Sequence, residues 1–318
     1  MKARQTFLSA QLILVLNACL IAPSCSERTT TVETDWHKRD LKGKVQSIKE
    51  AQYNAVDKFG TVTKGDVTIS RSSAQTSVQF NSDGYETELN WYNFDGSLKN
   101  RMRNSYKGSR IVSSKHFEAD GQLYNEVRYE YDEQGRLLAL VDLIEGEHYT
   151  TERYTYNDEG MVESISHFGA DSSLQSVTIH ARDLEGNEIE TTTLEGEDTM
   201  SHVQYRYDNL GNKIESKHWS FGNYSGSFYY VYDANGNVIE ETQDLPDGLY
   251  NGRTTTSYNE QGLVAERSSY TLHGRLEGTS KYEYEFDKIG NWTITIIYQD
   301  NKAMLILERL ITYCVASA

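Results

Sequence analysis

Apolar and polar positions alternate along most of this chain with a period of two. Val127, Tyr129 and Tyr131 fall on one side of an extended segment, and Arg128 and Glu130 on the other. The same alternation groups Val203, Tyr205 and Tyr207, then Phe228, Tyr230 and Tyr232, then Tyr282, Tyr284 and Phe286. Successive side chains of a strand point to opposite faces, so the pattern predicts strands with one covered face and one wet face. Helices are not expected, because glycine returns too often and no 3.6-residue period survives.

The alternating segments are separated by turns that repeat. Tyr131-Asp132-Glu133-Gln134-Gly135-Arg136-Leu137 returns as Tyr156-Asn157-Asp158-Glu159-Gly160, Tyr207-Asp208-Asn209-Leu210-Gly211, Tyr232-Asp233-Ala234-Asn235-Gly236 and Tyr258-Asn259-Glu260-Gln261-Gly262. Phe286-Asp287-Lys288-Ile289-Gly290 closes the series, and Arg182-Asp183-Leu184-Glu185-Gly186 is a degenerate copy. The glycines at 60, 84, 108, 135, 160, 186, 211, 236, 262 and 290 mark ten copies of about 25 residues. A second set of turns near the midpoints includes Asp95-Gly96, Asp120-Gly121, Glu145-Gly146, Glu195-Gly196, Asp247-Gly248 and His273-Gly274. Asp or Asn starts such a turn by hydrogen-bonding nearby backbone, and Gly takes the positive φ that other residues resist.

Each unit therefore reads turn, strand, turn, strand. The expected architecture is all-β: an extended, coiled antiparallel β-meander of about ten 25-residue hairpin repeats. About 20 strands set ~4.8 Å apart make a ribbon about 95 Å wide, which strand twist should coil so that the tyrosine face is buried. The alternative is a β-propeller with two units per four-stranded blade. That arrangement would make odd and even units differ, and they do not.

Composition sharpens this picture. The chain has 318 residues with 23 Tyr, 23 Gly and only 2 Pro, so it has material for a core made largely of strand-forming residues. Its net charge of −16 and pI near 5.0 argue against a nucleic-acid partner, which needs a basic patch.

The N-terminus is read as an address. Lys2 and Arg4 precede an apolar run from Phe7 to Leu16, the plan of an export signal. Gln11 and Asn17 break it too soon for a permanent spanning helix. The segment ends in Ala22-Pro23-Ser24-Cys25-Ser26-Glu27, which resembles a bacterial lipobox; Leu16-Asn17-Ala18-Cys19 is a second candidate. This predicts a signal peptide over 1–24, a lipidated Cys25 (alternatively Cys19) with a polar tether over 25–40, and a repeat domain over 41–318. The expected location is the cell envelope, anchored to a membrane through lipid and facing the periplasm or the surface.

The Tyr-Asp-x-x-Gly-Arg-Leu string at this spacing resembles the YD repeat of the RHS family, over about Leu41 to Tyr313. The resemblance implies a spiralling β-sheet shell; some members bind carbohydrate, and large ones enclose a toxin domain. No cargo domain is expected after the repeats. Its closing segments, Gly290 to Thr293, Tyr298 to Lys302 and Glu308 to Tyr313, resemble the final hairpin of small exported RHS-repeat lipoproteins.

No catalytic arrangement stands out. The eight histidines are scattered, and Gly222-Asn223-Tyr224-Ser225-Gly226 places its Ser one position too late for a nucleophile elbow. The loop Asp233-Ala234-Asn235-Gly236-Asn237 has oxygen donors but no bidentate Glu for calcium, and reads as an Asx turn. No metal and no cofactor are expected, and Cys314 is expected to be buried in a strand. Aromatic residues outside the repeat pattern are the candidate ligand contacts: Trp219, Phe221 and Tyr224 in one midpoint turn, and Trp91 and Tyr92 before another. The expected function is non-catalytic, a lipoprotein with a repetitive sheet surface for a glycan or an envelope protein. A structural, toxin-accessory or immunity role and, behind it, a glycan-processing enzyme are the alternatives.

Overall fold

The computed structural model describes residues 33–68, 75–246, 248 and 252–314. Cys19 and Cys25 lie outside the described residues, as does the whole of the segment 1–24 expected to be a signal peptide.

Among the described residues, one short helix, α1 (Asp35–Lys38), precedes 21 strands. The first seven are β1 (Val45–Lys58), β2 (Thr61–Val67), β3 (Gln75–Phe80), β4 (Glu86–Tyr92), β5 (Leu98–Lys107), β6 (Arg110–Glu118) and β7 (Leu123–Tyr131). Next come β8 (Leu137–Ile144), β9 (Glu147–Tyr156), β10 (Val162–Phe168), β11 (Leu174–Arg182), β12 (Glu188–Glu195), β13 (Asp198–Tyr207) and β14 (Lys213–Ser220). The last are β15 (Asn223–Tyr232), β16 (Val238–Asp244), β17 (Gly252–Tyr258), β18 (Val264–Thr271), β19 (Leu276–Phe286), β20 (Trp292–Gln299) and β21 (Lys302–Tyr313).

From β3 to β21 every strand pairs antiparallel with its successor, as the repeat predicts. The expected extended ribbon does not form, however, and neither does a propeller. Strand β1 pairs with β21 along Val45–Asn54 and, on its other edge, with β3 along Ser47–Ala51. The sheet therefore closes into a barrel. Strand β2 pairs with the distal half of β1 and continues the line of β3, so the ring counts 20 strands. Closure removes the two open edges that an extended ribbon would expose. A propeller would need separate four-stranded sheets, whereas one ladder runs right round.

The two ends of the barrel differ. At the end reached by Tyr131, here the lower rim, the loops other than the two-residue 108–109 turn are five-residue turns such as 132–136. Asp132 N–H donates to the Arg136 carbonyl, Gly135 N–H donates to the Asp132 carbonyl, and Gly135 sits at φ 83. The pairing shifts register beside it, between Glu130 and Tyr131, which is a glycine bulge. The Asp132 carboxylate accepts the Arg136 N–H at 2.8 Å, and Asp208 and Asp233 do the same for Asn212 and Asn237. At the upper rim several turns have only two residues, Glu145-Gly146 and Phe221-Gly222 among them, with both residues at positive φ. Gly60, grouped with the lower-rim series by its spacing, belongs to such an upper-rim turn between β1 and β2.

The repeat tyrosine has a definite task. Tyr131, Tyr156, Tyr207, Tyr232 and Tyr258, joined by Tyr284 two positions before the Phe286 that takes the repeat site, each donate a hydroxyl hydrogen bond of 2.6–2.9 Å to a main-chain carbonyl one strand back: Ile111, Leu137, Glu188, Lys213, Val238 and Val264. These clamps tie each hairpin to its predecessor.

On a closed cylinder, side chains on the concave face converge and shield one another. The tyrosine face is half-buried and the alternate face exposed, so the tyrosines point inward. Yet the stripe is not the sealed core that was expected. A 20-strand ring has a backbone radius of roughly 20 Å if round, too wide for side chains to fill. Opposite walls pressed together would bury that face fully, and Tyr85 is the buried tyrosine among the described residues.

A dry core does exist at the seam. Leu41, Val45, Ile48, Val78 and Phe80 are buried, with Trp36, Leu89, Ile311 and Tyr313 packed against them. Trp36 donates its indole N–H to the Val45 carbonyl at 2.9 Å. It lies over Gly84, where a Cβ would come within 2.6 Å of the ring. The segment expected to be tether thus enters the fold by Asp35, whose carboxylate accepts the Glu86 N–H at 2.8 Å. Asn291 holds Lys42 through both its N–H and its carbonyl, and Cys314 N–H donates to the Lys44 carbonyl. Cys314 itself is exposed just past β21, not buried within a strand.

Candidate functional site: an aromatic patch on the outer wall

The structure separates the two aromatic groups that the sequence singled out. Strand β4 carries Trp91 and Tyr92, and β14 carries Trp219; nine strands lie between them either way round the ring of 20, so the two groups sit on opposite sides of the barrel. Trp91 shares the inner face with Leu89 and Asn100. Tyr92 turns outward after the register shift beside it, and its hydroxyl lies 3.1 Å from the Ser77 hydroxyl. These two do not form a platform.

Trp219 and Tyr224 do come together. They sit on either side of the two-residue turn Phe221-Gly222, with ring centroids 5.9 Å apart and planes inclined at 64° in an edge-on contact. The cross-strand partner of Trp219 is His202, whose ring centroid lies 5.1 Å away. His202 Nδ1 is 3.1 Å from the Thr192 hydroxyl and 3.8 Å from a Glu190 carboxylate oxygen. Phe221 stands at the tip, 66% exposed at φ 48. Tyr224 anchors through its hydroxyl, 2.8 Å from the buried Ser227 hydroxyl. The outcome is an outward aromatic patch edged by an imidazole, a carboxylate and a hydroxyl. Nothing local in the sequence pointed to His202, since only the register of β13 against β14 brings it to Trp219.

The outer wall is charged around the ring, on the far side from this patch as well as beside it. Glu88 bonds Arg103 at 2.8 Å, Glu126 bonds Arg128 at 2.9 Å, and Glu215 bonds Arg206 at 2.9 Å. Burial alone would raise the Glu88 carboxyl, but its bonds from Arg103 and Asn90 outweigh that and hold it below the usual range. For Glu126 the Arg128 bond is the largest cause of the same lowering. Paired charges of this kind suit water, since a mid-bilayer Lys or Arg costs about 2–4 kcal/mol. No helix among the described residues is long and apolar enough to cross a membrane.

The inner face is polar between its tyrosines. Glu188 accepts from His180 at 2.8 Å and from the Thr191 hydroxyl at 2.8 Å, and Tyr207 closes over its carbonyl. Burial pushes the Tyr207 hydroxyl up to about 12, helped by the Glu188 charge. Burial likewise holds the imidazoles of His116 and His218 below their ordinary value. At the seam Arg309 pairs with Glu50 at 2.7 Å and stacks 3.6 Å from the Trp292 ring centroid. No group of three or more metal-type ligands occurs among the described residues. The oxygens of Asp233 are taken by the backbone of Asn235 and Asn237 and by the Asn237 side chain, which makes this loop a hairpin closure.

No family model and no curated protein matches this sequence. Among solved structures, the chain is similar to the TcdB2–TccC3–Cdc42 complex, at 13% identity over 86% of this chain, with a TM-score of 0.43. It spans about 16% of the length of that chain. A porin-like protein from Bacteroides uniformis matches at 10% identity over 85% of this chain and 98% of the other, with a TM-score of 0.35. A similar protein from Bacteroides vulgatus has a TM-score of 0.25.

Proposed function

We propose that this protein is a non-catalytic, lipid-anchored component of a bacterial cell envelope that binds a glycan on its outer wall. The observation that supports the reading is the joining of Trp219, Tyr224 and His202 on one exposed patch, with Glu190 and Thr192 at its edge. Aromatic faces stack on the apolar face of a sugar ring, and polar groups at the rim fix its hydroxyls. The anchor rests on the lipobox resemblance at Cys25.

Two measurements test the two halves of the reading. Binding of the intact chain to a panel of envelope polysaccharides should be lost in Trp219→Ala and retained in Trp91→Ala; equal loss in both would remove the patch from consideration. Intact mass spectrometry of the membrane fraction should show acyl mass on an N-terminus at Cys25, abolished by Cys25→Ser and untouched by Cys19→Ser. An unmodified chain would dispose of the anchor.

A further inference from the structure

The upper rim of the barrel is divided into two unlike halves. Four consecutive turns, β6–β7, β8–β9, β10–β11 and β12–β13, carry Glu118, Asp120, Glu145, Glu147, Asp171, Glu195, Glu197 and Asp198. All eight are exposed, and these turns contain no Lys or Arg. Following the ring onward, the next half presents apolar tips instead: Phe221 (66% exposed), Leu272 (57%), Phe59 (109%) and Phe94 (59%). Charges there are mixed, with Lys58, Arg275 and Lys302 beside Asp57, Asp95 and Asp300.

Folding does not require these tips. Phe59 and Phe221 occupy the first position of two-residue turns at φ 57 and 48. The left-handed region disfavours a bulky side chain by about 1–2 kcal/mol, and Asn or Gly would fit better. Both phenylalanines are thus unfavourable twice, in backbone conformation and in exposure. At the lower rim the positive-φ position of every described hairpin turn is Gly, and the exposed apolar residues there, Leu184, Leu210 and Ile289, stand at unstrained positions; both ends of the described chain gather at that rim, by Asp35 and Cys314.

We infer that the upper rim is a docking face for a protein whose surface is basic on one side and apolar on the other. Adjacent turns on one rim stand two strand spacings apart, about 10 Å, so the acidic arc is about 30 Å long, the scale of one side of a standard protein interface. An acidic arc attracts a basic surface over the Debye length and sets its orientation, while the phenylalanine tips supply desolvated contact area. A bilayer fits less well: its anionic surface would repel eight carboxylates on the rim that has to approach it.

The test uses the intact chain and a fluorescent helical peptide with lysines on one face and leucines on the other. Glu118→Gln/Asp120→Asn/Glu195→Gln/Glu197→Gln should weaken binding at least about tenfold at low salt, with the effect shrinking as salt rises. Phe59→Asn/Phe94→Asn should weaken binding too, while leaving the circular dichroism unchanged and the thermal midpoint equal or higher. The charge-matched control is Glu133→Gln/Asp158→Asn/Glu159→Gln/Glu260→Gln at the lower rim, which should bind like the parent. Equal weakening by that control would mean net charge alone, and overturn the inference. So would indifference to the upper-rim variants, or binding to phosphatidylglycerol vesicles that needs Phe59 and Phe94. The glycan reading is untouched by either result, because Trp219 is intact throughout.

Discussion

The seam and the repeat wall of this barrel are held together differently. At the seam Val45, Ile48 and Val78 have at most 1% exposure and pack against Trp36, Ile311 and Tyr313. Across the wall from Leu98 to Gln299, Ala139 and Leu143 are the buried apolar residues among those described. Hairpins there rely on local devices instead: bulged turns, tyrosine clamps and cross-strand ion pairs. The lesson is that a repeat can specify every hairpin without specifying a whole. Closure falls to the non-repetitive ends, which bring a long first strand, an indole and a small dry core to the place where β1 meets β21.

The largest expected effect lies in that contrast. Ile48→Ala at the seam should cost about 2–5 kcal/mol, as a large-to-small change in a sealed core does. Val203→Ala in the half-open wall should cost about 1 kcal/mol, because little area is withdrawn from water there. Urea midpoints at unchanged m-value measure both, and equal costs would mean that seam and wall are one cooperative core after all.

A middle-sized effect concerns the clamps. Tyr207→Phe keeps the ring and removes one hydrogen bond to the Glu188 carbonyl, for a loss of about 1 kcal/mol. Tyr258→Phe, two hairpins away, should add to it without coupling. A loss near zero would show that water replaces the clamp; strong coupling would show that the wall unfolds as one unit.

The smallest effect is a dependence on pH. His116 is lowered mainly by burial, with Asp142 opposing, and His218 by burial and then by Lys213. A histidine that folds into a site disfavouring its charged form contributes nothing above its unfolded pKa. Stability is then lost as pH falls from that value, near 6.5, toward the depressed folded value. Below this range a second loss should follow, as Asp287 is protonated. Burial raises its carboxyl, but bonds from Tyr313 and from the backbone of Asn291, Ile289 and Gly290 hold it below the ordinary aspartate range. Chemical denaturation at stepped pH should show the first slope vanish in His116→Asn/His218→Asn and the second persist.

Much of this was open to inspection in the sequence. Alternation around Tyr129 and Tyr205, and the Asp and Gly of each turn, are instructions between near neighbours: side-chain direction, Asx bonding and positive φ. They determined the strands, the antiparallel hairpins, the single inward tyrosine face and the count of about 20. The tertiary structure alone decided the rest. Twist and bulges summed over 20 strands bring β21 round to β1, so the ribbon closes instead of trailing as a coil. Register between β13 and β14, not spacing along the chain, brings His202 to Trp219, and ring position sets Trp91 and Tyr92 on the far side. The acidic and apolar arcs of the upper rim likewise appear only when alternate turns are gathered at one end. Short-range chemistry is written residue by residue, whereas closure and neighbourhood across the barrel depend on every twist and register in between.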